Sequence, residues 1–170
     1  WYSAATVSHS DFVVVGHGGS ASGSIARAQG IDAQGNPTWT YAGSDLGSNL
    51  TDVTATTDGG WVLGGHTSVG QAALAVRVSA TGSVQWVSTA TSKFDFRMGE
   101  LLAVGDGTFL AVGWQYNSDP DARVVRWAAD GKVLYQSAFD LGGDQQPVAA
   151  RLDNGHVLVA GQVYGPQNQP

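Results

Sequence analysis

No cysteine occurs among the 170 residues, which excludes disulfides, thiolate zinc sites and cysteine nucleophiles together. Charge is scarce too. Charged residues make up 13% of the chain, against roughly 25% in ordinary globular proteins. Glu100 is the single glutamate, and Lys93 and Lys132 are the two lysines. Strong helix formers are therefore few, while Val, Thr, Trp and Tyr are plentiful, a composition that favours strands. The net charge is −6 with a pI near 4.8, and the eight Lys and Arg are scattered along the chain. Without a basic patch to neutralise phosphates, a nucleic-acid partner is not expected. No apolar run approaches the ~18–20 residues of a membrane helix, so no transmembrane segment is expected. No signal peptide is visible and the chain opens at Trp1, which reads as a mature or trimmed fragment.

Glycine, by contrast, is abundant at 24 residues, and its placement is periodic. Asp11–His17, Gly60–His66, Thr108–Trp114 and His156–Gln162 each run an apolar strand into a glycine. Those glycines, Gly16, Gly65, Gly113 and Gly161, are 49, 48 and 48 residues apart. A fixed period of about 40–50 residues marks a repeat architecture, and a β-propeller blade has that length. A second element recurs in step. Gly35 precedes Trp39, Gly82 precedes Trp86 and Gly131 precedes Tyr135, each by four positions and each inside a hairpin signal. A third strand precedes each glycine strand, at Tyr2–Val7, Leu50–Thr56, Leu101–Val104 and Pro147–Leu152. Tight turns at Asp58-Gly59-Gly60, Gly105-Asp106-Gly107 and Asp153-Asn154-Gly155 join it on. Each unit thus predicts four short strands, a, b, c and d.

The run Asp58-Gly59-Gly60-Trp61-Val62-Leu63-Gly64-Gly65, followed by Gly82 and Trp86, resembles the blade of kelch-like β-propeller repeat proteins of bacteria. That resemblance implies an all-β propeller-type fold on a secreted or cell-surface bacterial protein. The strand count is less regular than the family would suggest. Four a–b hairpins but three c–d hairpins predict about three and a half four-stranded antiparallel blades within one domain spanning 1–170. Their bounds are roughly 1–46, 47–95 and 96–143, with a half blade at 144–170. Such a chain is a partial propeller, or a small ring with a truncated last blade. Either a homo-oligomer or a second chain completing the propeller is then a candidate assembly, since end repeats expose apolar faces.

In an up-and-down blade the b–c and d–a connections share one face. The expected b–c loops are His17–Ser24, His66–Gln71, Trp114–Asp121 and Gln162–Pro170. The expected d–a connections are Gly43–Asn49, Thr91–Met98 and Asp140–Gln146. These differ from copy to copy, and variable loops on a repetitive scaffold are where function sits. His17, His66, Trp114 and Gln162 share the position after the repeat glycine and form one set of candidate ligand-binding residues. Two imidazoles suggest a shared metal, yet no third ligand is evident, and the alternative is polar strand ends. Asp119, Asp121, Asp140 and Asp144 are calcium candidates without a D-x-D-x-D-G loop; the alternative is turn caps. Apart from calcium no cofactor is expected.

Trp39, Trp86 and Tyr135 recur in register, as do Phe12, Trp61 and Phe109, and such residues are expected to pack between blades. Trp114, Tyr116 and Tyr164 break the repeat and are the candidates for stacking on a sugar or anchoring a protein. No nucleophile elbow and no nucleotide-binding loop is present. Three functions stay open at this point. The first is a non-catalytic module that recognises a carbohydrate or protein partner through the loop face. The second is a structural subunit that completes a propeller with another chain. The third is a hydrolase or lyase using loop-face carboxylates.

Overall fold

The computed structural model describes residues 2–8, 11–20, 23–67, 72–116, 121–140 and 144–164. Every regular element among them is a strand, in the order β1 (Tyr2–Ser8), β2 (Asp11–Ser20), β3 (Gly23–Ile31), β4 (Pro37–Leu46), β5 (Ser48–Ala55), β6 (Trp61–Thr67) and β7 (Ala73–Val78). The chain continues through β8 (Val84–Ala90), β9 (Asp95–Val104), β10 (Thr108–Tyr116), β11 (Asp121–Trp127), β12 (Val133–Phe139), β13 (Asp144–Asp153) and β14 (His156–Tyr164). β1–β4, β5–β8 and β9–β12 form three antiparallel four-stranded sheets whose strands follow chain order, and β13 and β14 form a two-stranded fourth. β5 lies against β1 and β9, and β9 against β13, so the first strands of successive sheets meet on the inside. The last strands lie outermost, and β12 is exposed along nearly its whole length. The fold is a partial, propeller-like array of blades. No helix among the described residues is long and apolar enough to cross a membrane.

The core lies in the seams between blades. Val13, Val15, Leu63, Val76 and Val78 fill the first seam; Val62, Phe96, Phe109, Val125 and Trp127 fill the second. Neighbouring residues of β6 thus serve opposite seams, and β6 and β7 are buried throughout. Each such side chain contributes roughly 1.5–3 kcal/mol when removed from water.

The repeat glycines stand opposite a bulge. In every blade the first strand carries one extra residue opposite the glycine strand: between Tyr2 and Ala4, Leu50 and Asp52, Met98 and Glu100, and Pro147 and Ala149. The bulge pushes that backbone toward its partner. A Cβ on Gly65 would overlap the Asn49 carbonyl oxygen, and one on Gly113 would overlap that of Arg97. One on Gly161 would lie 2.5 Å from the Gln146 oxygen. Only glycine accepts that approach.

The bulge also accounts for a correction. β9 begins at Asp95 rather than Leu101, β13 at Asp144 rather than Pro147, and β5 at Ser48 rather than Leu50. An extra residue shifts the in–out alternation, so the two halves of each first strand do not read as one period-2 run. The connections expected to be long are correspondingly short. β4 runs to Leu46, leaving Gly47 alone before β5, and β2 runs to Ser20 with β3 resuming at Gly23.

A second junction repeats between blades. The Trp39 ring of β4 lies on the β7–β8 turn, where a Cβ on Gly82 would fall 2.5 Å from Trp39 Cγ. The Trp86 ring of β8 lies on the β11–β12 turn, where a Cβ on Gly131 would fall 2.7 Å away. The Trp86 indole Nε1 donates to the Ala129 carbonyl at 2.9 Å, and the ring packs tilted on Phe109, with centroids 6.4 Å apart. The first blade is thus pegged onto the turn of the second, and the second onto the turn of the third.

Candidate functional site

The positions that follow the repeat glycines are strand residues, not loop residues. His17 stands in β2 opposite Ala26, and His66 in β6 between Asn49 and Ala73. Trp114 stands in β10 between Arg97 and Ala122, and Gln162 in β14 opposite Gln146. The ladder carries through the repeat glycine, so these side chains are fixed by the sheet.

His66 is the most constrained of the set, and it is buried. Its Nε2 lies 2.9 Å from Arg97 Nη1. Arginine has only donors, so Nε2 accepts and Nδ1 carries the proton. That Nδ1–H is buried without an acceptor. Arg97 in turn pairs with Asp95 at 2.7 Å, and the Asn49 amide approaches Nε2 at 3.5 Å. Burial first, and then the Arg97 charge, pull the His66 pKa down to about 4 against the opposing pull of Asp95; His17 lowers it slightly further. The ring is therefore a neutral acceptor for Arg97, a role that competes with metal ligation at Nε2. No group of three His, Asp or Glu converges anywhere among the described residues.

Of the acidic candidates, Asp121 accepts the Gln115 amide at 2.8 Å and Asp140 accepts the Gln145 amide at 3.5 Å. Asp144 pairs with Tyr164 through the backbone, and Tyr116 pairs with Asp95. The side chains of Tyr116, Tyr164 and Asp144, and Asp119 altogether, lie outside the described residues. Trp114 is half-buried in β10.

The broadest departure from the repeat lies at the fourth sheet. No described strand pairs with the far edge of β14. In β6, Val62 and Leu63 are both 0% exposed; their counterparts in β14, Leu158 and Val159, are 56% and 47% exposed. Val159 and Val163 line an apolar cavity of about 420 Å³ with Val112, Val124 and Phe139 of the third blade. A second cavity, of about 440 Å³, lies beneath Tyr135 and Leu110. Tyr135 corrects the expectation that its class packs between blades: with no turn to receive it among the described residues, it is 46% exposed. Phe12 departs likewise, at 41% exposed against 2% for Trp61, with no described blade packed on its outer side.

Three features escaped the sequence reading. Asp58 and Asp106 in the a–b turns pair with Arg77 and Arg126 at 2.5 Å, one ion pair repeated in two blades. Asp52 reaches across a seam, accepting the Leu101 amide at 2.7 Å and the Val53 amide at 2.8 Å. Burial raises its pKa despite those bonds, and Glu100 beside it is raised by burial and by Asp52. Arg123 is buried at the register position that Leu74 holds in the second blade. A repeat alignment carries a signal for the arginines, since Arg77 and Arg126 recur in step and Arg123 stands opposite its repeat glycine as Arg27 does in the first blade.

No protein-family model matches the chain, and no curated protein matches it. Solved structures do. A protein of unknown function from Bacteroides caccae superposes with a TM-score of 0.63 at 17% identity, covering 94% of this chain and 52% of that one. A eukaryotic initiation factor superposes with a TM-score of 0.55 at 11% identity, covering 82% of this chain and 32% of that one. The chain therefore spans about half, or less, of the length of these structures. At such identities the likeness is one of fold, and the fold it shares with them is the propeller-like β array.

Proposed function

We propose that this chain is a non-catalytic assembly module whose open fourth blade accepts an outer β-hairpin from another polypeptide. The observation that carries the reading is the exposure of Val159, Leu158 and Tyr135, whose counterparts in the internal blades are covered.

The internal seams specify the occupant. Beyond β6 and β10, the next strand supplies two apolar residues two positions apart: Val76 and Val78 in one blade, Val125 and Trp127 in the other. The turn that follows carries a glycine on which the preceding aromatic lies. The fitting partner is therefore a hairpin with an apolar–x–apolar strand and a turn glycine that reaches Tyr135. It adds to the free edge of β14 through main-chain hydrogen bonds and fills the cavity with alternate side chains. The fourth blade of a second copy brings a second inner pair among the described residues, so two such edges do not complete one another.

A synthetic peptide spanning Asp121–Phe139, the chain's own outer hairpin, is the probe. Added in excess to the protein, it is expected to slow amide exchange across Val157–Val163 and to quench access to Tyr135. Val159→Asp is expected to weaken binding at least about tenfold by placing a charge in the apolar cavity. Absence of protection, or protection that survives Val159→Asp, overturns the proposal.

A further inference from the structure

A polar cavity of about 430 Å³ opens between the link from the second blade to the third and the outer strands of the third blade. Two of the chain's eight cations, Lys93 and Arg123, line it, and no carboxylate does. In a protein of net charge −6 that concentration is against the average.

Arg123 is the unusual member. It is buried, its guanidinium lies 5.2 Å from the Phe96 ring centroid, and no acidic group among the described residues pairs with it. Nη2 donates to the Gln136 side-chain oxygen and, at 3.4 Å, to the Thr91 carbonyl. Nη1 is buried with no acceptor. A buried cation without a counter-charge is costly; at the same register position the second blade has Leu74 and the first has Arg27, which is exposed rather than buried. Lys93, exposed at the rim, adds a second positive charge. The rest of the lining is hydroxyl and amide. Ser92 Oγ accepts the Phe94 amide at 3.2 Å and keeps its own proton to donate. Gln115 gives its amide to Asp121 and keeps its carbonyl oxygen to accept. Ser137 faces the same space.

We propose that this cavity binds a sugar acid: a single pyranose ring bearing a carboxylate. The carboxylate sits between Arg123 and Lys93 in charge-assisted hydrogen bonds, and the ring hydroxyls meet Ser92, Ser137 and Gln115. The volume is at the small-ligand end of the usual range for binding sites. This site is separate from the open edge of β14 and stands whether or not a hairpin docks there.

Calorimetric titration of the full chain with sodium D-glucuronate, D-glucose and sodium acetate tests it. Saturable binding of glucuronate is expected, with glucose and acetate each weaker by about tenfold or more, since each lacks one half of the recognition. Lys93→Gln, at an exposed side chain, is expected to weaken glucuronate about fivefold, the weight of one surface ion pair. Arg123→Gln is expected to abolish binding, with circular dichroism reporting whether the fold survives. No saturable glucuronate binding overturns the proposal. Equal binding of glucuronate and acetate overturns the sugar assignment, and an unchanged Lys93→Gln affinity removes the ligand from this cavity.

Discussion

His66 is held as a neutral ring because a charged arginine already stands at its acceptor nitrogen, and protonation would set two cations 2.9 Å apart. The consequence for stability has a definite sign. The ring takes a proton near pH 6.5 in the unfolded chain and only near 4 in the fold. Between those values the unfolded state binds more protons, so stability rises with pH across that window. The His66 contribution is whole above pH 6.5 and is lost as the pH falls toward about 4. Thermal midpoints measured from pH 7.5 down to 4 are expected to drop for the wild type and to drop less for His66→Gln. An identical pH dependence in the two proteins would show that His66 is not the group responsible. The position of His66 after the repeat glycine was legible, but its place within a strand and its protonation state were not. That state depends on Arg97, 31 residues further on and in the next blade.

At the level of elements, the turns and their aromatic pegs divide the work of joining blades. Gly131 has a φ of 85° and lies under Trp86; Gly35 has a φ of 88° and open space around it. Alanine at either position meets the left-handed backbone, at about 1–2 kcal/mol. At Gly131 it also displaces the indole. Urea unfolding is therefore expected to show Gly131→Ala as the more damaging variant, by about 1–3 kcal/mol over Gly35→Ala. Equal losses would mean that the peg carries no packing energy. Turns of this kind were readable from the sequence because their requirement is local: a positive φ at one residue calls for glycine there. The glycine strands were readable for a similar reason. The start of β9 was not, because the bulge at Gly99 breaks the alternation on which a strand is recognised. Nor was the burial of Arg123, which is decided by Thr91 in the link before the third blade and by Phe96 in β9 of the same sheet rather than by its neighbours in β11.

Across the whole molecule, packing is greatest in the middle and least at the two ends. β6 and β7 are covered by blades on both sides, whereas among the described residues β14 has no outer neighbour in its own sheet. In an array where each repeat leans on its neighbours, local opening should follow that gradient. Native-state hydrogen exchange is expected to find the slowest amides in β6 and β7 and much faster exchange in β14. Uniform protection from end to end would argue for a single cooperative body instead. The count of three full sheets and one half sheet was legible because turn glycines and strand runs can be tallied. What the half sheet leaves uncovered was not, since exposure belongs to the missing contact and not to any residue in the chain.

The indole-on-glycine peg also bears on how such a chain changes length over evolutionary time. Both internal seams use one contact, a tryptophan from the outgoing blade on a glycine of the incoming turn. A duplicated unit of 48 residues inserted at either seam would present a glycine to the blade before it and a tryptophan to the blade after it. Gain or loss of whole units therefore needs no new interface, whereas an insertion within a strand disturbs the pairing on both sides of it. Recombination between neighbouring repeats can then alter the number of blades while leaving the chemistry of every seam unchanged.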